Sequence, residues 1–220
     1  MGSSSDRVTV CGGINLDIHV QAIAAELKSG TSNPAYVHMS AGGVGRNIAE
    51  DLAVLGVAVT LLGAVGDDAL SDRLIADTKA AGVDTTCVLR VGGHVAGTYI
   101  ALLDGSGEMD VAVSDMRVTE TVDLDYAERC RSILEESALI VADTNLPVLT
   151  LQRIVEVANA AAVPIIVDPV SAAKAEKLSA LPGELFAITP NEGEAEVIAG
   201  HMGSLRVSHT IVTRGPAGVS

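Results

Sequence analysis

Short apolar runs alternate with stretches of helical periodicity along nearly the whole chain. Val8–Cys11 and Val57–Leu62 are apolar or β-branched throughout, and each gives way to glycine, at Gly12-Gly13 and Gly63. Ala138–Ala142, Pro164–Val167, Leu185–Ile188 and Thr210–Thr213 are further short runs bounded by polar residues or proline. Between them, Arg46–Leu55 places Ile48, Leu52 and Leu55 on one helical face. Ala69–Ala81, Tyr126–Glu136, Leu149–Ala161 and Glu192–Ala199 carry similar spacing. Strands that are apolar on both faces and separated by helices predict a parallel sheet covered on either side. Two stretches break the alternation. Glu26–Ser40 is polar, with Gly30 and Pro34. Val88–Val113 sets alternating segments such as Tyr99–Leu103 between glycine clusters, which predicts one or two β-hairpins beside the parallel core.

Composition narrows the class. The 220 residues suit one large α/β domain, and 48% hydrophobic against 19% charged residues excludes a disordered chain. A chain this size buries roughly 70% of its surface on folding, so it needs neither disulfides nor a structural metal. A net charge of −14 argues against a nucleic-acid partner. So does the scarcity of stacking platforms, since Phe186, Tyr36, Tyr99 and Tyr126 are the whole aromatic complement. Cys11, Cys87 and Cys130 form no C-x-x-C pair and read as small hydrophobes in a reducing compartment. The polar start lacks a signal-like apolar stretch, and no apolar run reaches about 18 residues. The expectation is a soluble cytoplasmic protein without a membrane partner. His19, His38, His94, His201 and His209 show no metal-ligand spacing.

The chemistry concentrates where the expected strands end. Asn15 and Asp17 follow the first. Asp143, Thr144 and Asn145 follow Leu139–Ala142, Asp168 follows Ile165–Val167, Thr189 and Asn191 follow Phe186–Ile188, and Thr213 and Gly215 close the series. In open α/β sheets ligands bind outside the carboxyl ends of the strands, so these exits would line one crevice. Each taken alone also reads as a helix cap or a turn. Ala41–Asn47 opens a helix with three glycines, where backbone N–H groups can meet a ligand. It is not a P-loop, and Ile48 stands where a dinucleotide fingerprint needs its last glycine. Asn191-Glu192-Gly193-Glu194 has the spacing of a capping box; the same carboxylate could instead hold a hydrated Mg²⁺ near phosphates.

Four motifs in order carry a resemblance. Gly42-Gly43-Val44-Gly45-Arg46-Asn47-Ile48-Ala49, with Gly56 and Gly66 following, resembles the first signature of the pfkB (ribokinase-like) family of carbohydrate and nucleoside kinases. Gly12–Asp17 resembles the family's opening strand and turn, Thr189–Glu196 its N-x-x-E segment, and Val212–Val219 its nucleotide-binding turn. With Val167–Ser171 and Lys174–Leu178, the wording is most similar to the pseudouridine kinase branch. The resemblance implies a Rossmann-like three-layer α/β/α sandwich spanning residues 1–220, with a small β lid from segments about 18–40 and 88–115. It implies transfer of the ATP γ-phosphate to the 5′-hydroxyl of a nucleoside or ribose-type sugar. Asp17 and Asn15, the Gly42 and Gly43 backbone, Asn47, Thr98, Asn145 and Lys174 would bind substrate. Asn191, Thr213 and Gly215 would bind nucleotide, and Glu194 would serve Mg²⁺. A monovalent cation such as K⁺ and a homodimer through the lid also belong to the expectation.

The family base is an Asp in a Gly-Ala-Gly-Asp segment. None occurs in these 220 residues, and ten residues, His201 to Thr210, stand where relatives carry a further helix. The expectation is therefore a chain without the family's C-terminal part and without its catalytic residue, His201–Ser204 reading like a splice. Should one of the carboxylates present act as base, Asp143 or Asp168 comes first. Two readings stay beside the nucleoside kinase: a catalytically inactive sugar- or nucleoside-binding protein, and a ribokinase or other sugar kinase. A dinucleotide-dependent oxidoreductase lacks its fingerprint.

Overall fold

The computed structural model describes residues 6–200 and 205–220. The start through Ser5 and the junction read at His201–Ser204 lie outside the described residues. In chain order the strands and helices are β1 (Val8–Cys11), β2 (Asn15–Ala22), β3 (Ala35–Gly42), α1 (Val44–Val54), β4 (Val59–Leu62), β5 (Ala64–Val65), α2 (Ala69–Ala80), β6 (Leu89–Arg90), β7 (Gly97–Leu103) and β8 (Met109–Asp115). Then come α3 (Leu124–Arg129), α4 (Arg131–Glu135), β9 (Leu139–Asp143), α5 (Val148–Ala160), β10 (Ile165–Asp168), α6 (Ala172–Ala175), β11 (Glu184–Ile188), α7 (Glu192–Ala199) and β12 (Arg206–Thr210).

The main sheet has six parallel strands in the order β12-β11-β10-β9-β1-β4. Its inner strands are apolar on both sides because both sides are buried. In β9, Ile140 and Ala142 enter one core with Leu151, Ile154 and Val155 of α5. Leu139 and Val141 enter the other, with Ala49 of α1 and Leu74 of α2. The product is the expected three-layer sandwich, and the reversal of connection between β1 and β9 opens a crevice at the carboxyl ends.

Two elements of the main layers differ most from the sequence expectation. The last strand is Arg206–Thr210, not Thr210–Thr213, because pairing with β11 runs from Glu184↔Arg206 to Ile188↔Thr210. The β-branched run after Thr210 leaves the sheet and folds back, with the Val212 and Ser220 amides donating to each other's carbonyls. The single helix expected over Tyr126–Glu136 is two short helices broken at Cys130. Tyr126 is buried there, its hydroxyl donating to the Cys87 carbonyl at 2.5 Å and accepting from the Gly63 amide at 3.2 Å. All three cysteines are free thiols, with Cys11 and Cys130 buried.

A second sheet of four strands, β3-β2-β7-β8, stands on the first. β2 runs antiparallel to β3 and parallel to β7, and β7 pairs antiparallel with β8. The period of two gives its faces opposite character. One carries Asn15, Asp17 and His19, with Ser40 opposite Asp17 on β3 and Tyr99 opposite it on β7. The other carries Ile18 paired with Met39 and Ile100, and Val20 paired with Val37 and Leu102. Val113 and Val111 continue those rows on β8. Val37 is 60% exposed and Val113 56%, so this apolar face is open at its outer end, whereas Ile18 packs against the core of α1 and α2.

Candidate functional site

The carboxyl ends of the strands are organised around Asp143, the last residue of β9, which is wholly buried. Its Oδ2 accepts from the Gly13 amide at 2.9 Å and the Gly45 amide at 2.7 Å, and Oδ1 accepts from the Asn145 amide at 2.8 Å. Burial pushes the carboxyl upward, and these amides oppose the shift. The approach is so close that a Cβ on Gly12 would lie 2.2 Å from Oδ2, and one on Gly45 would lie 2.7 Å from the Gly12 Cα. The α1 helix starts at Gly43, at φ +98°, with no side-chain cap. The Gly45 amide goes to Asp143 and the Arg46 amide to the Gly13 carbonyl at 3.1 Å. Those two helix-start donors serve the scaffold rather than a ligand.

Above this knot lies a cavity of about 270 Å³ lined by Asn15, Asp17, Gly43, Val44, Asn47, Tyr99, Met116, Asn145, Val170 and Lys174. A larger groove, about 440 Å³, lies elsewhere, along β11 and β12 by Glu184 and Phe186, and shares none of these residues. Asn15 donates from Nδ2 to Asp17 Oδ1 at 2.5 Å. Burial raises the Asp17 carboxyl above the ordinary aspartate value; His19, the Asn15 hydrogen bond and Arg46 pull it back. A Cβ on Gly42 would sit 2.3 Å from the Asp17 carboxylate, so glycine there leaves room for it. Arg46 is buried, donating from Nε to Thr78 Oγ1 at 3.2 Å and from Nη1 to Asn47 Oδ1 at 3.0 Å, with Glu50 as its ion-pair partner at 2.5 Å. Asn47 therefore keeps its NH₂ group for the cavity. Lys174 Nζ donates to Asn145 Oδ1 at 2.5 Å. The next lysine, Lys177, instead ties down the Thr144 and Leu146 carbonyls, each at 2.8 Å.

The conserved pattern of the pfkB family carbohydrate kinases matches residues 5–220. The chain belongs to that family. Over 195 residues it is 37% identical to the pseudouridine kinase of Escherichia coli, an alignment covering 89% of this chain and 61% of the relative. It is 24% identical over 160 residues to the guanosine-inosine kinase of Exiguobacterium acetylicum, covering 73% of this chain and 52% of that one. Among solved structures, a carbohydrate kinase from Agrobacterium tumefaciens superposes with a TM-score of 0.78 at 26% identity, over 91% of this chain and 70% of that one. Arabidopsis thaliana ribokinase complexed with ribose and ATP shares the fold, with a TM-score of 0.75 at 21% identity, over 96% and 73% of the two chains. The chain thus spans about three fifths or less of the curated relatives it matches first, between 52% and 61%.

Within this pfkB-family chain the fold gathers Asn15, Asp17, Gly43, Asn47, Asn145 and Lys174 around one cavity. Thr98 is not among its lining residues. Thr98 pairs with the buried Leu16 and donates to the Ala96 carbonyl at 3.0 Å, while its neighbour Tyr99 pairs with Asp17. A one-residue step along a strand changes the face. Asn191 and Thr213 bridge each other beyond the ends of β11 and β12, with Gly215 following. Glu194 forms the capping box in full. Oε2 accepts from the Asn191 amide at 2.9 Å, Oε1 accepts from Asn191 Nδ2 at 2.8 Å, and the Glu194 amide donates to Asn191 Oδ1 at 2.9 Å. Asp143 and Asp168 are both engaged by backbone amides, Asp168 also accepting from Thr189 Oγ1 at 2.8 Å. Tyr99, Met116 and Val170 also line the cavity. Val170 stands within Val167–Ser171, but no role for any of the three could be read from the sequence. Among the described residues no helix is long and apolar enough to cross a membrane.

Replacing Asp143 with alanine strands the Gly13, Gly45 and Asn145 amides. Urea unfolding is expected to show a loss of about 3 kcal/mol or more, with Asp143→Asn milder because it keeps a carbonyl acceptor. A loss under about 1 kcal/mol for the alanine variant would mean that water substitutes freely for the carboxylate.

Proposed function

We propose that this chain binds a nucleoside, pseudouridine first, in the cavity between the two sheets, as part of a kinase that transfers the ATP γ-phosphate to the ribosyl 5′-hydroxyl. The observation that supports the reading most directly is the polar wall of Asn15, Asp17 and Asn47 in a chain 37% identical to a pseudouridine kinase.

The wall suits vicinal hydroxyls. An ionised carboxylate only accepts, and sugar hydroxyls can donate to it. Asn15 occupies Asp17 Oδ1, which leaves Oδ2 to accept from the ribose. Asn47, its oxygen held by Arg46, offers donors to a hydroxyl oxygen. Asn145 has its oxygen held by Lys174 and lies beside Gly13, where a Cβ would come within 3.0 Å of its Nδ2. Its NH₂ group hydrogen-bonds the Asp143 carboxylate, so what it brings to the wall is the Lys174 ammonium that its oxygen holds there. Asn191, Thr213 and Gly215 would receive the ATP phosphates. The described residues hold no cluster of three acidic, His or Cys side chains that would cage a metal. That fits Mg²⁺, which keeps several waters and takes ligands from phosphate. Glu194, with one hydrogen bond on each oxygen, retains lone pairs for metal-bound water, and the ion when bound would neutralise phosphate charge. The four-stranded sheet would act as the lid, and its apolar outer face would be covered by a second copy of the chain.

Three outcomes are expected. Asp17→Ala should weaken pseudouridine binding at least about a hundredfold by calorimetry, two hydrogen bonds to a charged group being lost. Unchanged affinity would remove Asp17 from the site. In the wild type, affinity should fall on acidification beginning above the ordinary aspartate range of about 3.9, since the raised Asp17 carboxyl protonates early. Size-exclusion chromatography with light scattering should find a dimer that Val37→Lys or Val113→Lys converts to monomer. A wild-type monomer at micromolar concentration would leave the outer face unexplained by self-association.

A further inference from the structure

We infer that Val170 binds the base of the nucleoside, its side chain forming part of the apolar wall that receives the ring. The inference rests on the nucleoside reading above and adds a residue to which the sequence assigned no role.

Val170 follows β10 at φ +64°, one of two non-glycine residues with positive φ among those described. A β-branched residue is the least suited to this region, where glycine or asparagine carries little penalty. The usual reason for a valine is core packing, and Val170 joins neither apolar core of the described residues. It is instead partly exposed and lines the cavity. The turn that holds it is fixed from three strand ends. Asp168 Oδ1 accepts from the Val170 amide at 2.9 Å, while Oδ2 accepts from Thr189 Oγ1 beyond β11. Thr144, beyond β9, donates from its amide to the Asp168 carbonyl at 3.0 Å and from Oγ1 to the Pro169 carbonyl at 2.6 Å. An unfavourable backbone conformation fixed so thoroughly, for a side chain that serves no core, points to the cavity as its purpose.

The rest of the lining says what that purpose is. Asn15, Asp17 and Asn47 satisfy hydroxyls, and Val170 shares the lining with Tyr99 and Met116. A free pentose is hydroxylated all round and gains little from three apolar side chains. A ribosyl heterocycle presents hydroxyls at one end and a flat, largely apolar ring face at the other. Val170, with Tyr99 and Met116, would supply the apolar surface for that ring.

The test pairs two measurements on the full 220-residue chain, titration calorimetry with pseudouridine and thermal unfolding. Val170→Gly relieves the backbone and removes the wall. Its Tm is expected to equal or exceed that of the wild type, while pseudouridine affinity falls about tenfold for the lost apolar burial. Val170→Asn, which also tolerates this backbone, is expected to behave alike and guards against a folding defect in the glycine variant. A Tm several degrees below the wild type in both variants would assign Val170 to packing and overturn the inference. Pseudouridine affinity within twofold of the wild type would overturn it too. Failure of the nucleoside reading has a separate signature: the unaltered chain then binds neither pseudouridine nor any other nucleoside, and the inference falls with it.

Discussion

Asp143 ends the strand beside the crevice with both oxygens committed to backbone amides, and the neighbouring turns take their shape from it. A carboxylate out of contact with water is stable only when fixed dipoles replace its hydration. Here they come from the turn after β1, the start of α1 and the turn after β9. Three segments distant in sequence are held to one point, and side chains on two of them, Asn47 and Asn145, line the cavity. Any residue larger than glycine at position 12 would intrude on the carboxylate. The glycine-rich wording of these segments is thus in part a packing requirement of an acidic group, and only in part a requirement of the ligand.

Much of the main sheet was legible because its strands are buried on both faces and so stand out as uninterrupted apolar runs. The second sheet was harder. Asn15–Ala22 and Ala35–Gly42 alternate polar with apolar residues, but His19, Gln21, His38 and Ser40 on the cleft face dilute the apolar signal, and β3 went unrecognised as a strand. The last strand was misplaced because Arg206-Val207-Ser208-His209-Thr210 is an exposed edge segment with little apolar content, while the β-branched residues after it belong to a turn. Of the residues that line the cavity, Asn15, Asp17, Asn47, Asn145 and Lys174 could be named from the sequence. Val170 belongs to a segment that shares in the resemblance, but nothing in Asp168-Pro169-Val170-Ser171 announces a left-handed valine or a place in the cavity. The placing of Thr98 rather than Tyr99 shows how narrow the margin is on a strand, where one residue separates the cleft face from the opposite one.

The cavity also shows how neutral side chains acquire a direction. Asn47 and Asn145 each have an amide that could turn either way, and in each a buried or half-buried cation, Arg46 or Lys174, takes the oxygen. For Asn47 the cation thereby sets which hydrogen-bonding half faces the cavity, while the Asn145 NH₂ turns to the Asp143 carboxylate. Arg46 also contributes to the field on Asp17. A charge that need not touch a ligand still decides what the wall offers it.

The chain crosses between the two sheets at Gly12–Ile14, Gly43, Ala96 and Met116, and Leu16 of β2 packs into the core beside α1 and α2. The first crossing includes Gly13, whose amide is pinned by Asp143 and whose carbonyl holds the Arg46 amide. The fulcrum of the upper sheet is therefore built from the same atoms as the floor of the cavity. A rocking movement of that sheet would transmit torque directly to the head of α1 and to Asn47, without any intermediate linkage. Opening the cleft and loosening its grip would then be a single mechanical event.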